Sequence, residues 1–487
     1  MRYIPEESGV IIYWDLPEGF TDGEMYSVSL NGNTVETEKC HVHFTGLEPE
    51  TEYTVVWLYN GTREELTVRT LPVRKRVNVL DFGAAGDGAT LNTEALQRAI
   101  DSCEKGVVYI PEGDFLTGSL FLHSDMELYL EKGAILHGTT AVEDYSPKIK
   151  SRFEGKGMMC YSALINIGSL NRDAVTCSNV RICGEGTVYG GGRELADRVV
   201  AVETELMKAE LEALGDKIKE FELPQTAPGR ARPRLINISS SENILISGIT
   251  AANGPCWNVH MIYSKNIETC GVTFRSSGVW NGDGWDPDSS TDCTIFGCEF
   301  YTGDDAVAIK SGKNPEGNLI NRPSERIRIF DCKSNYGHGV TIGSEMSGGI
   351  NDVRIWNCDM STSVYGVEIK ATKKRGGYVR NVRVRNTSAC RILLHSVGYN
   401  DDGEGAPTAP IFEDCSFEDI RLTARMHTQD NEDVDCEAIE VSGFDIPGHY
   451  AKNIKFKNIT VGTGEGRKHT MLLSCCEGIS FENIKAK

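Results

Sequence analysis

The feature of this sequence that most constrains its fold is a short apolar motif that recurs from about residue 107 to the C-terminus. Each copy has a few β-branched residues, then Asn, Asp, Gly or Cys, then a second apolar run, as in SNVRICGEGTVYG, ENILISGITAAN and TDCTIFGCEFYTG. The copies are mostly about 23 to 34 residues apart, which is typical of a solenoid whose turns bury one another's apolar faces. Such short strands, with no helical phase between them, favour a parallel β-helix. We therefore predict an all-β fold dominated by a right-handed, single-stranded parallel β-helix.

A different pattern precedes the repeats. Residues 1–72 alternate apolar and polar positions in short runs such as GVIIYWDL, MYSVSL and YTVVWLY, separated by turn-rich pieces. The stretch LEPETEYTVVW resembles the tyrosine corner of fibronectin type III modules, with Tyr53 at the corner and Trp14 as a core partner. We predict a fibronectin type III-like β-sandwich at 1–72, followed by a β-helix domain at 73–487.

One segment interrupts the repeats. Within residues 194–223, Val199, Val202 and Leu206 recur at near-helical spacing among many Glu and Lys residues. This pattern predicts an inserted amphipathic helix. Its apolar side would pack over the β-helix or against a second copy of the chain, so a homo-oligomer formed through the insert is one expectation.

Composition excludes several classes of function. A net charge of −20 argues against nucleic acid as a partner. No apolar run approaches the roughly 20 residues that span a bilayer. The opening MRYIPEESGVIIYWDLPEGF does not resemble a secretory signal, so we expect a cytoplasmic protein. The sixteen cysteines lack metal-type spacing, and we expect buried, reduced thiols and no metal or other cofactor.

Residues that can carry chemistry concentrate in four short clusters, about one coil apart. They are Asn281-Gly282-Asp283-Gly284, Gly303-Asp304-Asp305, Gly337-His338-Gly339 and Glu368-Ile369-Lys370. Because neighbouring coils stack at roughly 4.8 Å, the clusters would line one face over about 15 Å, the length of a few sugar rings. We expect Gly303 to provide the backbone freedom that lets both following aspartates face one cleft.

Clustered aspartates permit acid–base chemistry. Carboxylates this close repel one another, which raises the pKa of at least one and keeps it protonated near neutral pH. One acid with one or two bases is the equipment for glycosidic cleavage. The alternative is that each aspartate merely satisfies backbone N–H groups in a turn. The whole set, stacked with His338 and Lys370, favours a site.

These motifs resemble those of glycoside hydrolase family 28, the polygalacturonases, and particularly its bacterial exo-acting members. The family motifs Asn-Thr-Asp, Gly-Asp-Asp, Gly-His-Gly and Arg-Ile-Lys correspond here, in order, to NGDGWDPDSS, TGDDAVAIKSGK, GHGVTIGSEMSGG and VEIKATKKRGGY. The resemblance covers about residues 77–487. It implies a general acid at Asp304, bases that activate water at Asp283 and Asp305, and a histidine, His338, that tunes the acid.

The resemblance also implies a set of substrate-binding residues. Lys370 would pair with a uronate carboxylate, and Asn281 would hold the first cluster in place. Tyr399 would contact the sugar near the cleavage point. His260 would flank the groove, and so would Trp257, which is equally well explained as a core residue.

The fourth motif departs from the family pattern, because Glu368 stands where an arginine should grip a carboxylate. Lys373, Lys374 or Arg375 could replace that arginine and supply a local basic patch; otherwise the subsite accepts something other than unmodified galacturonate. A second tension is stereochemical. Carboxylates one rung apart, at about 5 Å, would imply retention of configuration, whereas the resemblance implies inversion.

The sequence thus predicts an inverting, exo-acting hydrolase of α-1,4-galacturonosidic bonds in homogalacturonan or in oligogalacturonides. Three alternatives remain open. One is a rhamnogalacturonan-type or other pectin-backbone hydrolase. A second is a Ca²⁺-dependent lyase. The third is a non-catalytic carbohydrate-binding β-helix protein.

Overall fold

A computed structural model describes residues 1–21, 23–221, 223, 225–428, 430, 432–462 and 471–486. Residue 222 of the predicted insert and residue 487 of the predicted second domain lie outside the described residues. In the part of the chain that is described, no helix combines the length and the apolar character needed to cross a membrane.

The first 69 residues form two antiparallel sheets around a shared aromatic core, as predicted. One sheet has three strands in the order Arg2–Pro5, Gly9–Tyr13 and His41–Thr45. The other has four in the order Asn33–Thr37, Tyr26–Leu30, Glu52–Tyr59 and Thr62–Arg69. Trp14 packs edge-on against Tyr26 and Trp57 in the core. The Tyr53 hydroxyl accepts a 2.9 Å hydrogen bond from the Glu48 N–H, which is the corner contact that the sequence predicts.

From residue 76 onward the chain winds into a parallel β-helix, in agreement with the prediction. Two long parallel sheets run along it, a scaffold sheet and a site sheet. The described strands of the site sheet are Leu120–Leu122, Ile165–Ile167, Ile236–Ser239, Val259–Ile262, Trp285–Asp288, Val307–Ile309, Gly339–Ile342, Gly366–Ala371, Ile392–Ser396, Ile439–Ser442 and Met471–Ser474. Each full coil contributes one strand to the site sheet, so residues of consecutive coils stand beside one another on that face.

The scaffold sheet receives one to three strands from each coil. Its described strands are Arg76–Asn78, Val107–Ile110, Gly113–Thr117, Met126–Leu130, Ala134–Gly138, Cys177–Gly184, Thr187–Tyr189, Ser241–Ser247, Thr250–Ala252, Lys265–Cys270, Thr273–Arg275, Thr291–Phe296, Glu299–Tyr301, Ser324–Phe330, Lys333–Tyr336, Ile350–Trp356, Asp359–Met360, Tyr378–Ala389, Ile411–Leu422, Ala451–Val461, Cys476–Glu477, Ser480–Glu482 and Lys485–Ala486.

Two hairpins and several short helices project from the coils. The hairpins pair Ile149–Phe153 with Lys156–Cys160 and Arg425–His427 with Asp433–Asp435. The α-helices are Thr93–Ser102, Gly192–Leu206, Lys208–Leu214, Thr226–Gly229 and Glu316–Ile320, and the 3-10 helices are Val79–Phe82, Val142–Tyr145 and Gly215–Glu220.

The recurring Asn and Asp residues of the repeat occupy the corners of the coils. Asn179, Asn243 and Asn266 adopt left-handed backbone conformations, with φ of 58°, 57° and 53°. The side-chain amides of Asn243 and Asn266 donate to the asparagine of the preceding coil, at 3.0 and 2.6 Å, and that of Asn179 donates to Asp125 at 2.7 Å. Asparagine and aspartate tolerate this conformation better than β-branched residues do, which explains why they interrupt the apolar runs.

Apolar side chains fill the interior of the coils. Cys298, Cys332 and Cys358 come from three consecutive coils and are all buried there, as predicted for a stacked ladder. All sixteen cysteines are described and none is in a disulfide. The thiols therefore act here as small core side chains.

The sandwich packs on the scaffold sheet. Phe296, Phe330 and Trp356 stack on one another with ring centroids 4.8 and 4.5 Å apart, and Tyr13 of the sandwich lies 4.9 Å from the first of them. At the rim, Asp331 accepts a 2.7 Å hydrogen bond from the Cys40 N–H. The contact is therefore apolar at its centre and polar at its edge.

The insert is more broken than predicted. Instead of one helix over 194–223, the chain forms the helix Gly192–Leu206, a second helix and a 3-10 turn. Gly215 separates the last two with a φ of 51°, a left-handed value that an α-helix does not continue through. Leu195 and Val199 are fully buried in the β-helix core, whereas Leu206 is 69% exposed. The first half thus packs over the coils as predicted, and contact of the outer half with a second copy stays a prediction.

Candidate active site

The parallel register of the site sheet brings the four sequence clusters onto one face. Trp285, Val307, Val340 and Val367 are successive partners in consecutive coils. The residue two positions before each of them therefore falls in one row across the sheet. That row reads Asp283, Asp305, His338 and Tyr365. The predicted one-coil spacing of the clusters is confirmed.

Close backbone stacking explains the glycines of these clusters. A Cβ atom on Gly303 would lie 2.4 Å from the Val279 carbonyl oxygen, which no side chain can accept. The φ of Gly303 is not left-handed, so the prediction that a glycine is needed here for backbone freedom was wrong. Glycine is needed here because there is no space for a side chain. The left-handed positions are Gly337 and Gly339, with φ of 108° and 95°. They carry the chain sharply around His338.

Two adjoining cavities open on this face. The inner cavity, about 160 Å³, is lined by Glu154, Trp257, Asn281, Asp283, Asp304, Asp305, Lys310, His338, Gly343, Ser344, Glu345, Tyr365, Lys370, Tyr399 and Asn400. The outer cavity, about 820 Å³, shares Asn281, Asp304, His338 and Tyr365 with it and adds Trp280, Tyr336, Arg391 and residues of the insert and of neighbouring loops. Seven of the nine predicted site residues therefore surround one space.

His338 connects two of the aspartates. Its Nδ1 lies 2.9 Å from Asp304 Oδ1 and 3.4 Å from Asp305 Oδ1. Burial alone would lower the pKa of His338, but the two carboxylates outweigh burial, Asp304 more strongly, and raise it to about 10. At neutral pH this side chain is an imidazolium that two carboxylates share.

Asp305 is held in its ionised form. Burial would raise its pKa, but the nearby cation Lys370 and then His338 lower it below the usual range. The Thr341 hydroxyl donates a 2.6 Å hydrogen bond to Asp305 Oδ1. An ionised, oriented carboxylate of this kind can accept a proton from water or hold a water molecule in place.

Asp283 is in the opposite electrostatic situation. Burial, and then the neighbouring charges of Asp286 and Asp304, raise its pKa well above the ordinary value. Burial likewise raises the pKa of Asp286 to about 7, although Lys310 opposes the shift. Lys310 Nζ lies 3.4 Å from Asp283 Oδ2 and 3.1 Å from Asp286 Oδ1. A proton is thus retained within this buried group, as expected for clustered carboxylates.

Lys310 and Asp286 were missed in the sequence analysis. Lys310 is in bridge register with Asp288, and Asp286 lies two residues before Asp288 on the same strand. Alternation along WDPDSS and VAIK puts these residues on the outer face of the coil, and that alternation was the available signal.

Glu368, which replaces the expected arginine, is fully engaged inside the protein. Its carboxylate lies 2.9 Å from Lys370 Nζ and 2.7 Å from His395 Nε2. Burial would raise the pKa of Glu368, but Lys370 and His395 outweigh burial and lower it. The carboxylate of Glu368 is therefore paired with these two side chains, and not with Lys373, Lys374 or Arg375.

Arg375 does not replace the missing arginine. It is completely buried and donates hydrogen bonds to the Ser344 carbonyl, to Asn314 Oδ1 and to the Asn400 carbonyl, at 3.1, 2.8 and 2.8 Å. Its guanidinium is used to fasten two loops, so the prediction that Arg375 contacts substrate is wrong for this structure. Lys374 likewise points to the Asp401 carbonyl at 2.6 Å, and Lys373 does not line the inner cavity.

His260 also differs from its prediction. Its side chain is completely buried beneath Trp257, with ring centroids 4.8 Å apart, and does not line the inner cavity. Burial lowers the pKa of His260 to about 4, so the ring is neutral. Its Nε2 lies 3.5 Å from Asp288 Oδ2. Trp257 lines the inner cavity and is only 2% exposed. It therefore flanks the groove and is also a core residue.

A charged network lies behind Glu154, one of the residues that line the inner cavity. Asp402, in the loop after Tyr399, pairs with Arg230 at 3.0 Å, with Lys156 of the hairpin at 2.6 Å, and with Lys313. Arg230 also binds Glu154 at 2.6 Å. Burial would raise the pKa of Asp402, but Arg230 and Lys313 lower it below the usual range. We call this hairpin–loop contact the end wall.

One group of described residues could hold a cation. The ligand atoms of Asp304, Asp305 and His338 lie within 4.8 Å of one another. Because His338 is protonated at neutral pH, a metal would have to displace that proton before binding. The chemistry of this donor set therefore suits proton transfer better than metal binding, and the absence of a cofactor stays a prediction.

Comparison with known proteins agrees with this architecture. The model of glycosyl hydrolases family 28 matches residues 197–487, and a model of rhamnogalacturonase A/epimerase, pectate lyase-like, matches residues 76–136. A probable polygalacturonase of Vitis vinifera is 32% identical over 366 residues, 70% of this chain and 68% of that protein. An exo-poly-alpha-D-galacturonosidase of Dickeya chrysanthemi is 26% identical over 99% of this chain and 89% of its own.

Solved structures show the same fold. An exopolygalacturonase of Thermotoga maritima superposes with a TM-score of 0.69 at 27% identity, over 85% of this chain and 92% of that one. A family 28 exopolygalacturonase of Yersinia enterocolitica superposes with a TM-score of 0.79 at 22% identity, over 99% and 96% of the two chains. The β-helix and the family match together define this chain as a glycoside hydrolase. The chain belongs to glycoside hydrolase family 28.

Proposed function

We propose that this protein hydrolyses α-1,4-galacturonosidic bonds of homogalacturonan or oligogalacturonides from a chain end. The observation that carries the proposal is the meeting of Asp283, Asp304 and Asp305 with His338 in one cavity beside the end wall. The relatives named for polygalacturonase and exogalacturonosidase activity support the same substrate class.

The proposed mechanism uses Asp304 as the general acid. Asp304 lines both cavities, so a glycosidic oxygen bound where they meet lies within its reach. For this role Asp304 must take up a proton in the complex with substrate. As it donates that proton to the glycosidic oxygen, the His338 imidazolium at 2.9 Å stabilises the carboxylate that forms. Asp305, ionised and oriented by Thr341, would take the proton of the attacking water, and Asp283, whose pKa burial raises, would hold that water in place. Direct attack by this water predicts inversion of configuration.

Exo action follows from the end wall. A polymer cannot continue past Glu154, Asn400 and the ion pairs behind them, so only a terminal sugar fits the inner cavity. Lys370 Nζ, 5.8 Å from the Tyr399 ring centre, would bind that sugar's carboxylate beside an aromatic face. The wall is built from buried charged pairs, which supports its being rigid in the free protein.

For the N-terminal sandwich we propose a fibronectin type III-like spacer. Its three-plus-four strand order and the Tyr53 corner support that class. Its apolar contact with the scaffold sheet supports a structural role rather than a catalytic one.

Replacing Asp304 tests the proposal. Asp304→Asn should lower kcat on digalacturonate by several orders of magnitude while substrate binding persists, because a proton donor is lost without loss of volume. Turnover is measured by chromatography of the released monosaccharide, and binding by calorimetry. Asp292→Asn, at a half-exposed aspartate paired with Arg326 on the scaffold sheet, is the control and should act like wild type.

Three results would reject the proposal. Full turnover by Asp304→Asn would indicate that the aspartates only satisfy backbone N–H groups in turns. Unsaturated, ultraviolet-absorbing products that vanish with a chelator would indicate a lyase. Binding of pectic oligomers by the wild type without any cleavage would indicate a carbohydrate-binding protein.

A second candidate is a rhamnogalacturonan-type hydrolase, which Glu368 favours because a carboxylate at that position does not attract a second uronate. Parallel digestion of polygalacturonate and of rhamnogalacturonan, with products identified by mass, separates the two. Release of galacturonate from polygalacturonate at the higher kcat/KM supports our first choice.

A further inference from the structure

Glu368 stands where the family motif has an arginine that binds a carboxylate. This chain therefore lacks that cation at its usual position. Of the described lysines that line the inner cavity, Lys310 is paired with Asp283 and Asp286, and Lys370 is already assigned to the carboxylate of the attacked sugar. A homogalacturonan substrate places a carboxylate on every sugar, including the one beyond the scissile bond. Some other cation should therefore face that sugar, if the proposed function is correct.

The positions of the aspartates indicate where the leaving sugar lies. Asp283 and Asp305, the proposed water-activating pair, line only the inner cavity, whereas Asp304 lines both cavities. In an inverting reaction, water attacks from the face opposite to the leaving group. The sugar that is attacked then sits in the inner cavity against the end wall. The leaving sugar extends past Asp304 into the wider outer cavity.

Arg391 is the cation that faces this outer space. It directly precedes the strand Ile392–Ser396, one coil beyond the Gly366–Ala371 strand that carries Glu368. Its guanidinium lies 5.1 Å from the ring centre of Tyr365, and that ring lies 4.7 Å from the His338 ring. Arg391 is thus connected by packed rings to the residue that holds the acid Asp304.

The charge of Arg391 is available. Its Nε is buried and has no hydrogen-bond partner among the described residues, and no described carboxylate forms an ion pair with its guanidinium. The other arginine that lines the outer cavity, Arg193, is paired with Asp197 at 3.5 Å on the exposed surface of its helix. A planar guanidinium held on an aromatic face is well suited to bind a carboxylate through two hydrogen bonds.

We propose that Arg391 binds the carboxylate of the leaving galacturonate and so takes over, from the next coil, the role of the arginine that Glu368 replaces. This inference rests on the proposed function and makes it more specific. It assigns the outer cavity to a uronic acid rather than to a neutral sugar such as rhamnose.

The test compares two substrates that share the attacked sugar and differ in the leaving group. Digalacturonate has a leaving carboxylate, and p-nitrophenyl α-galacturonide does not. Arg391→Gln should lower kcat/KM for digalacturonate about 10- to 100-fold, the usual range for losing a hydrogen-bonded ion pair, and leave p-nitrophenyl release within about twofold of wild type. Arg391→Lys, which keeps the charge and loses the paired hydrogen bonds, should fall in between.

A matched control is available in Arg380, whose guanidinium lies 4.3 Å from the Tyr378 ring centre and which lines neither cavity. Arg380→Gln should leave kcat/KM unchanged for both substrates. Equal losses on the two substrates with Arg391→Gln, or no loss on either, would overturn the inference. If the wild-type protein cleaves neither substrate, the proposed function itself fails, and that outcome is distinct from these.

Discussion

At the scale of single residues, the site depends on unlike environments for similar groups. Asp283 and Asp305 occupy the same register position in adjacent coils, yet burial raises the pKa of the first and cations lower that of the second. His338, between Asp304 and Asp305, carries the positive charge that makes two adjacent carboxylates tolerable. These environments keep one carboxyl group protonated and the other ionised at the same pH, which lets two similar groups take different parts in handling the proposed water.

The charge of His338 leads to a prediction about pH and stability. Its folded-state pKa of about 10 lies above the unfolded value of about 6.5, so its ion pairs stabilise the fold fully below about pH 6.5. That contribution is lost as the pH rises through about 10. We expect the difference in free energy of unfolding between wild type and His338→Gln to shrink steadily over this interval. Urea unfolding at a series of pH values measures it, and a difference that grows with pH would contradict the assignment.

At the scale of elements, the insert has two halves with different roles. The helix Gly192–Leu206 buries Leu195 and Val199 in the core of the β-helix, while the helix Lys208–Leu214 buries none of its residues. The first half thus fixes the insert beside the outer cavity, and its Arg193 lines that cavity. Sequence periodicity indicated the helix but not this division, because both halves have a similar composition.

This division predicts unequal effects of equal substitutions. Leu195→Ala should lower the free energy of unfolding by about 2 to 5 kcal/mol, because it leaves a cavity in a packed core. Leu206→Ala, at a leucine that is 69% exposed, should change it by less than about 0.5 kcal/mol. Denaturant unfolding compares the two variants. Similar losses for both would mean that the end of the first helix, where the outer half begins, is buried in solution, as it would be in an oligomer formed through the insert.

At the scale of the whole molecule, the sandwich and the β-helix are joined by one aromatic stack. Phe330 is completely buried between Phe296 and Trp356, and Tyr13 of the sandwich lies 6.1 Å from it. The proposed active site is on the site sheet, whereas this contact is on the scaffold sheet. Stability of the docked sandwich and catalysis should therefore be separable.

Phe330→Ala tests that separation. We expect a loss of about 3 to 5 kcal/mol in the free energy of unfolding and faster proteolysis in the segment that joins the two domains, near residue 72. Digalacturonate hydrolysis by the folded variant should stay close to wild type. Phe481→Ala, at a phenylalanine that is 38% exposed in the last described coil, is the control and should have a small effect. A large fall in kcat for Phe330→Ala with the fold intact would show that the domains are functionally coupled.

By itself the sequence determined the β-helix, the sandwich and which residues form the proposed catalytic cluster. The reason is that a solenoid converts a local repeat into spatial neighbours, so that residues one coil apart in sequence, such as Asp283 and Asp305, meet without any further information. Seven predicted site residues line the inner cavity for this reason.

Only the tertiary structure decided which long-range partners complete the site. Glu154, Arg230 and Asp402 are far apart in sequence and meet in the end wall, and no periodicity relates them. The same holds for the partners of Glu368: His395 reaches it from the next coil, whereas Arg375, its near neighbour in sequence, turns inward to fasten loops. Side-chain direction depends on how projecting loops pack, and loop packing is not encoded in the repeat that specifies the coils.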